Sequence, residues 1–324
     1  MAHHREEIVR VLKAAQNVLL ITHVHPDGDA LGSQIAMANI LEAAGKNVFM
    51  YGEDPVSHLY DFLPLCDKIE NMLPDLRGFD CAIALDCGDS FRMGHAKDDF
   101  LTVHPFLVVD HHAGHKDFGD LRWVAPGMSS TGEMVFELAA DLGYDIPYEA
   151  AYCLYAAIVS DTGSFKYSST TADTFRIAGE LVAKGVKPAS VAGKLFDNFS
   201  VNRLHLMRLV LDSLELYADE RLAIIWASRE MFRQTSTTQA DAESFINYPR
   251  SVQSVKVAAF IKETEKGMIA VSMRSKGTNY DVAQIAAFFG GGGHRNAAGF
   301  KLPDTDIDKV RELLLGKVLP MVQN

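Results

Sequence analysis

Acidic and imidazole side chains gather at four places in the sequence, and each place follows an apolar run. The four groups are His23-Val24-His25-Pro26-Asp27-Gly28-Asp29, Asp86-Cys87-Gly88-Asp89, Asp110-His111-His112 and Asp161-Thr162-Gly163. Carboxylates with a minority of imidazoles are the ligands that Mn²⁺ and Mg²⁺ prefer in proteins. The four cysteines of the chain lack the paired spacing of a structural zinc site. If the groups meet in space, the sequence predicts a site for hard divalent cations.

The number of carboxylates in these groups indicates how many cations the site needs. Carboxylates a few ångströms apart repel one another and raise each other's pKa, so a shared site requires compensating positive charge. About six protein ligands exceed what one octahedral ion takes when water must also bind. Two ions that share a bridging carboxylate fit better, and such pairs stabilise a phosphoryl group during in-line attack. We therefore expect hydrolysis of a phosphoester by a two-metal mechanism.

Short strands alternate with helices in the first half of the chain and would carry these groups to one place. The predicted elements are strands at residues 17–22, 47–51, 80–85 and 106–109 and helices at residues 31–44 and 129–142. This alternation predicts an α/β fold with a mostly parallel sheet and helices on both faces. The carboxyl ends of parallel strands line one crevice, where ligands bind. The apolar run before Asp161 is either another strand or the end of a helix.

A plainer interpretation exists for each group taken alone. Asp and Gly are good turn formers, so Asp27 and Asp29 would fit a simple turn. Asp86, Asp89 and Asp161 would fit helix N-caps, and a pair of histidines is usual in a solvated loop. The joint placement of the groups after strands favours the metal site. Two further histidines that flank the groups have no assigned role; they are His25 and His115.

A smaller α/β unit is predicted after a helical connection. The stretch from Pro188 to Tyr217 carries helical apolar spacing at Leu204, Met207, Leu211 and Leu214. The elements predicted after it are strands at residues 221–227, 255–262 and 268–273 and helices at residues 282–289 and 307–315. We expect residues 1–190 and 218–324 to form two domains, joined by a helical linker at residues 191–217.

A glycine run in the second domain suggests an anion site. Gly290, Gly291, Gly292 and Gly293 are consecutive and are followed by His294. Such a run exposes backbone N–H groups and lets a phosphate approach closely. Arg274 adds a planar guanidinium suited to a phosphate or a base edge. The alternative is a flexible hinge, but the stretch from Arg274 to Lys301 has four Lys or Arg against one Asp.

Composition excludes several classes of protein. The 324 residues are 48% hydrophobic and 23% charged, which is typical of folded soluble chains and excludes intrinsic disorder. The formal net charge of −11 disfavours a surface that binds duplex DNA. No apolar run approaches the roughly 20 residues of a membrane span, and no signal-peptide core follows the N-terminus. We expect a cytoplasmic protein with no membrane partner.

The combined motifs resemble those of the DHH phosphoesterase family. The resemblance rests on HVHPDGDALGS at residues 23–33, on Asp86, on Asp110-His111-His112, on SDTG at residues 160–163 and on the closing GGGGHRNAAGF. These motifs occur in the family's order over nearly the whole chain, and the second domain resembles the DHH-associated domain. The two-domain form is most similar to the nanoRNase and 3′-phosphoadenosine 5′-phosphate (pAp) phosphatase branch.

The resemblance implies a role for each site residue. One Mn²⁺ would bind His23, Asp27 and Asp86, and the other would bind Asp29, Asp86, His111 and Asp161. Asp110 would orient the ligands, and His112 would contact the scissile phosphate. Arg274 and the loop of Gly291, Gly292, Gly293 and His294 would bind the rest of the nucleotide. The sequence departs from the family pattern at two positions that are not expected metal ligands. This chain has His25 where the family often has Asn, and Lys166 where the family often has Arg.

Several substrates fit this resemblance. Very short single-stranded RNA (nanoRNA) and pAp are expected, and linear or cyclic dinucleotides such as pApA and c-di-AMP are the alternative. Inorganic pyrophosphate fits less well, because Arg274 and the glycine loop suit a larger ligand. A nucleotide sensor without catalysis would have lost metal ligands, yet every expected position is occupied. The family resemblance also suggests a homodimer.

Overall fold

The chain consists of two structural units, and the first is built on a parallel sheet. The computed structural model describes residues 4–264 and 267–323. Unit 1 spans Met1–Asn198 and unit 2 spans Phe199–Asn324. The strands of unit 1 are β1 (Asn17–Ile21), β2 (Asn47–Tyr51), β3 (Ile69–Glu70), β4 (Cys81–Leu85), β5 (Phe106–Asp110) and β6 (Leu121–Val124). Its helices are α1 (Arg5–Ala14), α2 (Gly28–Ala43), α3 (Lys97–Phe100), α4 (Thr131–Leu142), α5 (Tyr148–Asp161), α6 (Ala172–Ala183) and α7 (Pro188–Phe196).

The strands of unit 1 form one sheet in the order β3-β2-β1-β4-β5-β6, and every neighbouring pair is parallel. Alternate residues face two different cores: Val18 and Leu20 face one, and Leu19 and Ile21 face the other. The first core includes side chains of the long helices, and the second includes those of α3 and a 3-10 turn at Ser90–Met93. Helices therefore cover both faces, which confirms the predicted α/β fold.

Capping residues set the ends of the two helices that carry site residues. Helix α2 begins three residues before its predicted start, because Asp27 Oδ1 accepts the N–H groups of Asp29 and Ala30, both at 3.1 Å. Helix α4 begins after Ser130, whose side chain accepts a backbone N–H. It ends at Gly143, whose φ of +72° is the left-handed conformation that favours glycine at this position.

Unit 2 is built on a mixed sheet. Its strands are β7 (Glu215–Tyr217), β8 (Leu222–Ala227), β9 (Val257–Glu263), β10 (Ile269–Ser275), β11 (Gly292–His294) and β12 (Ala297–Leu302). Its helices are α8 (Val201–Asp212), α9 (Arg229–Thr235), α10 (Asn247–Ser251), α11 (Val282–Phe288) and α12 (Ile307–Gln323). The strand order is β11-β12-β10-β9-β8-β7, in which β8 and β9 are parallel and the other pairs are antiparallel. Helices α11 and α12 pack on one face and α8 and α9 on the other.

The connection predicted as one helix from residue 188 to residue 217 is two helices and a strand. Helix α7 ends at Phe196, and Ser200 caps a new helix by accepting a backbone N–H. Helix α8 ends at Asp212, and the chain continues as β7, which pairs with β8. The buried apolar residues of α8 are Leu206 and Val210, and Met207 packs half-buried against the same core, whereas Leu204 and Leu214 of the predicted spacing are exposed. The polar stretch between the helices breaks the helical pattern that the apolar spacing suggested.

Some elements were not predicted from the sequence, among them α1, β6 and α6. Helix α12 also extends eight residues beyond its predicted end at Leu315. No helix in residues 4–264 and 267–323 has both the length and the apolar character needed to cross a bilayer.

Candidate metal centre

Three adjacent strands of unit 1 end in predicted ligand residues. His23 lies two positions after β1, Asp86 directly follows β4, and Asp110 ends β5, with His111 and His112 next. Because β1, β4 and β5 are neighbours and parallel, their carboxyl ends meet at one edge of the sheet. The structure thus brings three of the four sequence groups together from strand ends.

Asp161 reaches the same place from a helix. It is the last residue of α5, so the strand interpretation was wrong and the helix-end interpretation was right. Helix α5 is buried on most of its surface, which hides the helical period in the apolar run. Gly28 lets the end of α5 approach the start of α2, because a Cβ there would lie 2.6 Å from Ser160 Oγ. This approach places Asp161 beside Asp27 and Asp29.

The distances among the ligand atoms are close to those expected around a cation. His111 Nε2 lies 3.7 Å from Asp29 Oδ2, 3.6 Å from Asp86 Oδ1 and 3.5 Å from Asp161 Oδ2. His23 Nε2 lies 3.5 Å from Asp86 Oδ2. Two ligands at about 2.1 Å from one ion stand about 3.0–3.4 Å apart, so these separations are slightly longer than those around a bound ion, and a small inward shift of the side chains would suit one. Ligand atoms within 4.8 Å of one another form three groups: His23, Asp27 and Asp86; Asp29, His111 and Asp161; and Asp86, His111 and His112.

Backbone carbonyl groups orient two of the imidazoles for metal binding. His23 Nδ1 donates to the carbonyl of Val24 at 2.9 Å, and His111 Nδ1 donates to the carbonyl of Met128 at 3.3 Å. A carbonyl oxygen only accepts, so the proton of each ring sits on Nδ1. Nε2 of each ring then faces the carboxylates and, when the ring is neutral, presents its lone pair to a metal ion, as in metal-ligating histidines generally.

Two of the carboxyl groups carry an electrostatic cost. Burial, followed by the charges of Asp86, Asp161 and Asp27, raises the pKa of Asp29 well above its ordinary value. Burial and the charges of Asp27 and Asp86 also raise the pKa of Asp161, to about 6, although His111 acts in the opposite direction. No Lys or Arg of the described residues forms a salt bridge with either group. This set of donors fits a divalent cation, which would remove the repulsion.

Asp86 differs from these two carboxyl groups. Burial opposes ionisation of the Asp86 carboxyl group. Its pKa nevertheless lies well below the ordinary value, because the hydrogen bond from His23 and the positive charges of His112 and His111 outweigh burial. Its backbone has φ of +59°, a conformation that non-glycine residues rarely adopt and that occurs at functional sites. Asp86 belongs to two of the three candidate ligand groups, which suits a bridging ligand.

Asp110 holds His112 beside the cluster. His112 Nδ1 and Asp110 Oδ1 lie 2.6 Å apart, and the Asp110 side chain is fully buried. Burial opposes protonation of His112, but Asp110 and Asp86 outweigh it and raise the pKa of His112 to about 9. Burial likewise opposes ionisation of Asp110, and the hydrogen bonds from His112 and His115 lower its pKa to about 2. The pair is therefore an imidazolium and a carboxylate near pH 7.

The start of α4 supplies contacts that the sequence analysis missed. Thr131 Oγ1 donates to Asp86 Oδ1 at 2.9 Å, and the Thr131 N–H donates to Asp29 Oδ2 at 2.7 Å. Gly132 N–H and Ser33 Oγ donate to Asp29 Oδ1 at 2.9 and 3.1 Å. The sequence signal was the run Ser129-Ser130-Thr131 at the start of α4, in which Ser130 alone serves as the cap. Thr131 thus fixes the orientation of two candidate ligands.

Two residues near the predicted groups lie outside the three ligand groups. Asp89 caps the 3-10 turn at Ser90–Met93 by accepting the Phe91 N–H at 3.0 Å, so the N-cap interpretation describes it. His25 is exposed and pairs with Asp54 at 3.1 Å. Neither residue shares a candidate metal group among the described residues.

The predicted nucleotide-binding residues lie in unit 2. Arg274 is on β10, and Gly292 and Gly293 belong to β11, which pairs with β12. A Cβ at Gly291 would lie 2.2 Å from the Gly299 carbonyl oxygen, so only glycine permits this close packing of the loop on the sheet. The side chain of His294 lies outside the described part of the chain.

Three cations share one face of the unit 2 sheet. The registers pair Lys262 with Ala270 and Ala270 with Lys301, and Arg274 lies two alternate positions along β10 on the same side. Lys262 and Arg274 are half-buried, and Lys301 is exposed. Small residues separate them: Ala270, Ser272, Ala297 and Gly299. We call this set of three cations the basic face.

The parallel sheet and the cluster at its edge define a metal-binding α/β protein. The sequence model described as "DHH family, N-terminal domain" matches residues 17–158, and that of the DHHA1 domain matches residues 223–318. The chain is 32% identical over 314 residues to the bifunctional oligoribonuclease and PAP phosphatase NrnA of Thermus thermophilus. This alignment covers 96% of the chain and 92% of that relative. The chain belongs to the DHH family and carries a DHHA1 domain.

Two further comparisons agree with this assignment. The protein of the same name from Bacillus subtilis is 27% identical over 309 residues, with coverage of 93% of this chain and 94% of the relative. The crystal structure of an exopolyphosphatase-related protein from Bacteroides fragilis superposes with a TM-score of 0.90 at 30% identity. It covers 99% of this chain and 98% of that chain, so the similarity includes both units.

Proposed function

We propose that the protein is a metal-dependent phosphoesterase that hydrolyses very short single-stranded RNA, pAp or both to nucleoside monophosphates. The observation that carries the proposal is the convergence of three carboxylates, Asp29, Asp86 and Asp161, within 3.7 Å of His111 Nε2. The names of the relatives from Thermus thermophilus and Bacillus subtilis support this substrate class.

The ligand sets of the proposed centre follow two of the three groups of atoms, with Asp86 added to the second as a shared ligand. His23, Asp27 and Asp86 would hold one ion, and Asp29, Asp86, His111 and Asp161 would hold the other. When bound, the two ions supply positive charge for the phosphoryl oxygens and lower the pKa of bound water. We propose Mn²⁺, because its preference for oxygen with some imidazole nitrogen matches these donors.

His112 would bind the scissile phosphate. Asp110 occupies its Nδ1, so a phosphate oxygen would meet the other edge of the ring. In the metal-free protein, Asp110 and Asp86 raise the pKa of His112 to about 9, and a protonated ring would stabilise the negative charge that builds up on a phosphoryl group during attack. The buried Asp110 carboxylate fixes the orientation of this donor before substrate binds.

The basic face and the glycine loop would bind the rest of the substrate. A nucleotide longer than one phosphate needs a second anion site, and Lys262, Arg274 and Lys301 would supply its positive charge around small side chains. The loop of Gly291, Gly292, Gly293 and His294 would add backbone N–H groups. In this proposal, residues 1–190 form the catalytic domain and residues 218–324 the substrate-binding domain.

The proposal also includes the cellular location of the protein and its binding partners. All four cysteines are unpaired thiols, which supports a reducing cytoplasm. The net charge of −11 favours small substrates over duplex DNA. The family resemblance supports a homodimer.

The test is an assay of purified protein with pAp, pApA, c-di-AMP and a five-nucleotide RNA, each with Mn²⁺ and with Mg²⁺. We expect release of nucleoside monophosphates from the short RNA or pAp. Asp86→Asn should lose nearly all activity, because it removes the proposed bridging charge from both ion sites. Asp89→Asn is the matched control, since Asn also caps helices and Asp89 lies outside the ligand groups. Equal activity of wild type and Asp86→Asn would overturn the proposal, and cleavage of c-di-AMP alone would replace it with the alternative substrate class.

A further inference from the structure

The Asp110 carboxylate is shared between two imidazole rings. His112 Nδ1 lies 2.6 Å from Oδ1, and His115 Nδ1 lies 2.8 Å from Oδ2. The side chains of His115 and Asp110 are both fully buried. The two carboxylate oxygens thus each have a different imidazole partner, and rotation of the carboxyl group would break both contacts.

The backbone around His115 is held by hydrogen bonds to the loops that follow β4 and β5. The His115 N–H donates to the His112 carbonyl at 3.3 Å, and the next N–H, that of Lys116, donates to the Gly88 carbonyl at 2.8 Å. The His115 ring stacks on Phe118 with centroids 5.2 Å apart and an interplanar angle of 22°. These contacts hold the ring in one orientation relative to Asp110.

The surroundings of His115 also select one tautomer. Nδ1 faces a carboxylate oxygen, which accepts a proton, whereas the buried Nε2 has no hydrogen-bond partner within the described residues. A proton on Nε2 would therefore be a buried N–H without an acceptor, which is unfavourable. The proton consequently sits on Nδ1, where it donates to Asp110. A histidine that served only to fill space would not need this donor.

We propose that His115 is a positioning residue, which donates its Nδ1 proton to Asp110 and thereby fixes the carboxylate that orients His112 toward the substrate. This inference rests on the proposed function, because it assigns His112 to the phosphate. It adds a residue for which neither the motifs nor the candidate ligand groups gave a role. His115 would act on the rate of the reaction through Asp110, without contact with the ions or the substrate.

Two substitutions separate positioning from packing. His115→Leu removes the donor, and His115→Asn keeps an amide N–H at about the position of Nδ1. For His115→Leu we expect kcat to fall by about 10-fold or more, with KM and bound Mn²⁺ within about twofold of wild type. We expect His115→Asn to stay within about threefold of wild type, since it restores the donor. An unchanged kcat in His115→Leu, an equal loss in both variants, or a loss confined to KM would overturn the proposal.

Nuclear magnetic resonance of the wild-type protein with ¹⁵N-labelled histidine rings, without metal or substrate, tests the inference independently of activity. We expect His115 to carry its proton on Nδ1, and we expect the His112 Nδ1 proton signal to move in His115→Leu and to return toward wild type in His115→Asn. A proton on His115 Nε2, or an identical His112 signal in all three proteins, would overturn the proposal. If the wild type hydrolyses none of the substrates, the proposed function fails, and these spectra still decide the role of His115.

Discussion

Neutralising Asp161 should stabilise the metal-free protein, although Asp161 is a proposed metal ligand. Folding raises the pKa of this carboxyl from 3.8 to about 6, chiefly through burial and with the charges of Asp27 and Asp86. The folded state therefore binds the proton more tightly than the unfolded state does. Ionisation costs stability above about pH 6, and the cost disappears below about pH 4.

The expected change in the free energy of unfolding follows from the difference between the two pKa values. An interval from 3.8 to about 6 corresponds to about 3 kcal/mol in the free energy of unfolding at high pH. Because 33% of the Asp161 side chain is exposed, solvent screens part of this cost, and we expect about 1–2 kcal/mol. Metal-free Asp161→Asn should be more stable than wild type by this amount at pH 8. At pH 4.5 the difference should shrink to about a third.

Urea unfolding with a chelator present measures this effect. The chain has two tryptophans, Trp123 on β6 of unit 1 and Trp226 on β8 of unit 2, so a Trp226→Phe background lets fluorescence report on unit 1. Excess Mn²⁺ should stabilise the wild type more than Asp161→Asn, because binding to the folded state adds stability by mass action.

Asp86→Asn is the matched control, because the pKa of Asp86 is shifted the opposite way. The hydrogen bond and the imidazoles that lower this pKa make ionised Asp86 stabilising at neutral pH, and that stability is lost as the pH falls. Metal-free Asp86→Asn should therefore be less stable than wild type at pH 8. The electrostatic reasoning is refuted if metal-free Asp161→Asn is also less stable than wild type at pH 8.

Three further predictions address the supports of the site. Thr131→Val should weaken Mn²⁺ binding by about 10–100-fold in calorimetric titration, and Thr131→Ser should not, since Ser keeps the hydroxyl that contacts Asp86. Gly32→Ala should lower the free energy of unfolding by about 1–3 kcal/mol, because the added Cβ would lie 2.6 Å from a backbone carbonyl oxygen of α5. The control Gly179→Ala should raise the free energy of unfolding by about 0.5–1 kcal/mol, since its Cβ would meet no atom within 4 Å. Equal urea midpoints for the two variants would contradict this prediction. Arg274→Ala should raise KM for pAp by about 10-fold or more while bound Mn²⁺ is unchanged, and an unchanged KM would remove Arg274 from the substrate site.

Strand positions and the placement of their polar ends were predictable from the sequence. The strand at Asn47–Tyr51 has its predicted bounds, and β1, β4 and β5 are each within one residue of theirs. Buried parallel strands are short, apolar and bounded by turn residues, so they are easily recognised. The rule that ligands collect at carboxyl ends of such strands then located His23, Asp86 and His111 together.

Helical contributions to the site were harder to predict. The run before Asp161 is apolar on nearly every side because α5 is surrounded by other helices, so no period separated helix from strand. The break between α7 and α8 depends on the Ser200 cap, which competed with a misleading apolar spacing. Thr131 and His115 were missed because their roles lie in contacts with residues 45 and 5 positions away. Such contacts depend on tertiary structure and leave little local signal.

The most direct test of the binuclear centre is an anomalous difference map from crystals grown with Mn²⁺. The account predicts two peaks about 3.5–4 Å apart, one among His23, Asp27 and Asp86 and the other among Asp86, His111 and Asp161. A map without peaks at this edge of the sheet, or with a single ion that Asp86 does not contact, would contradict it.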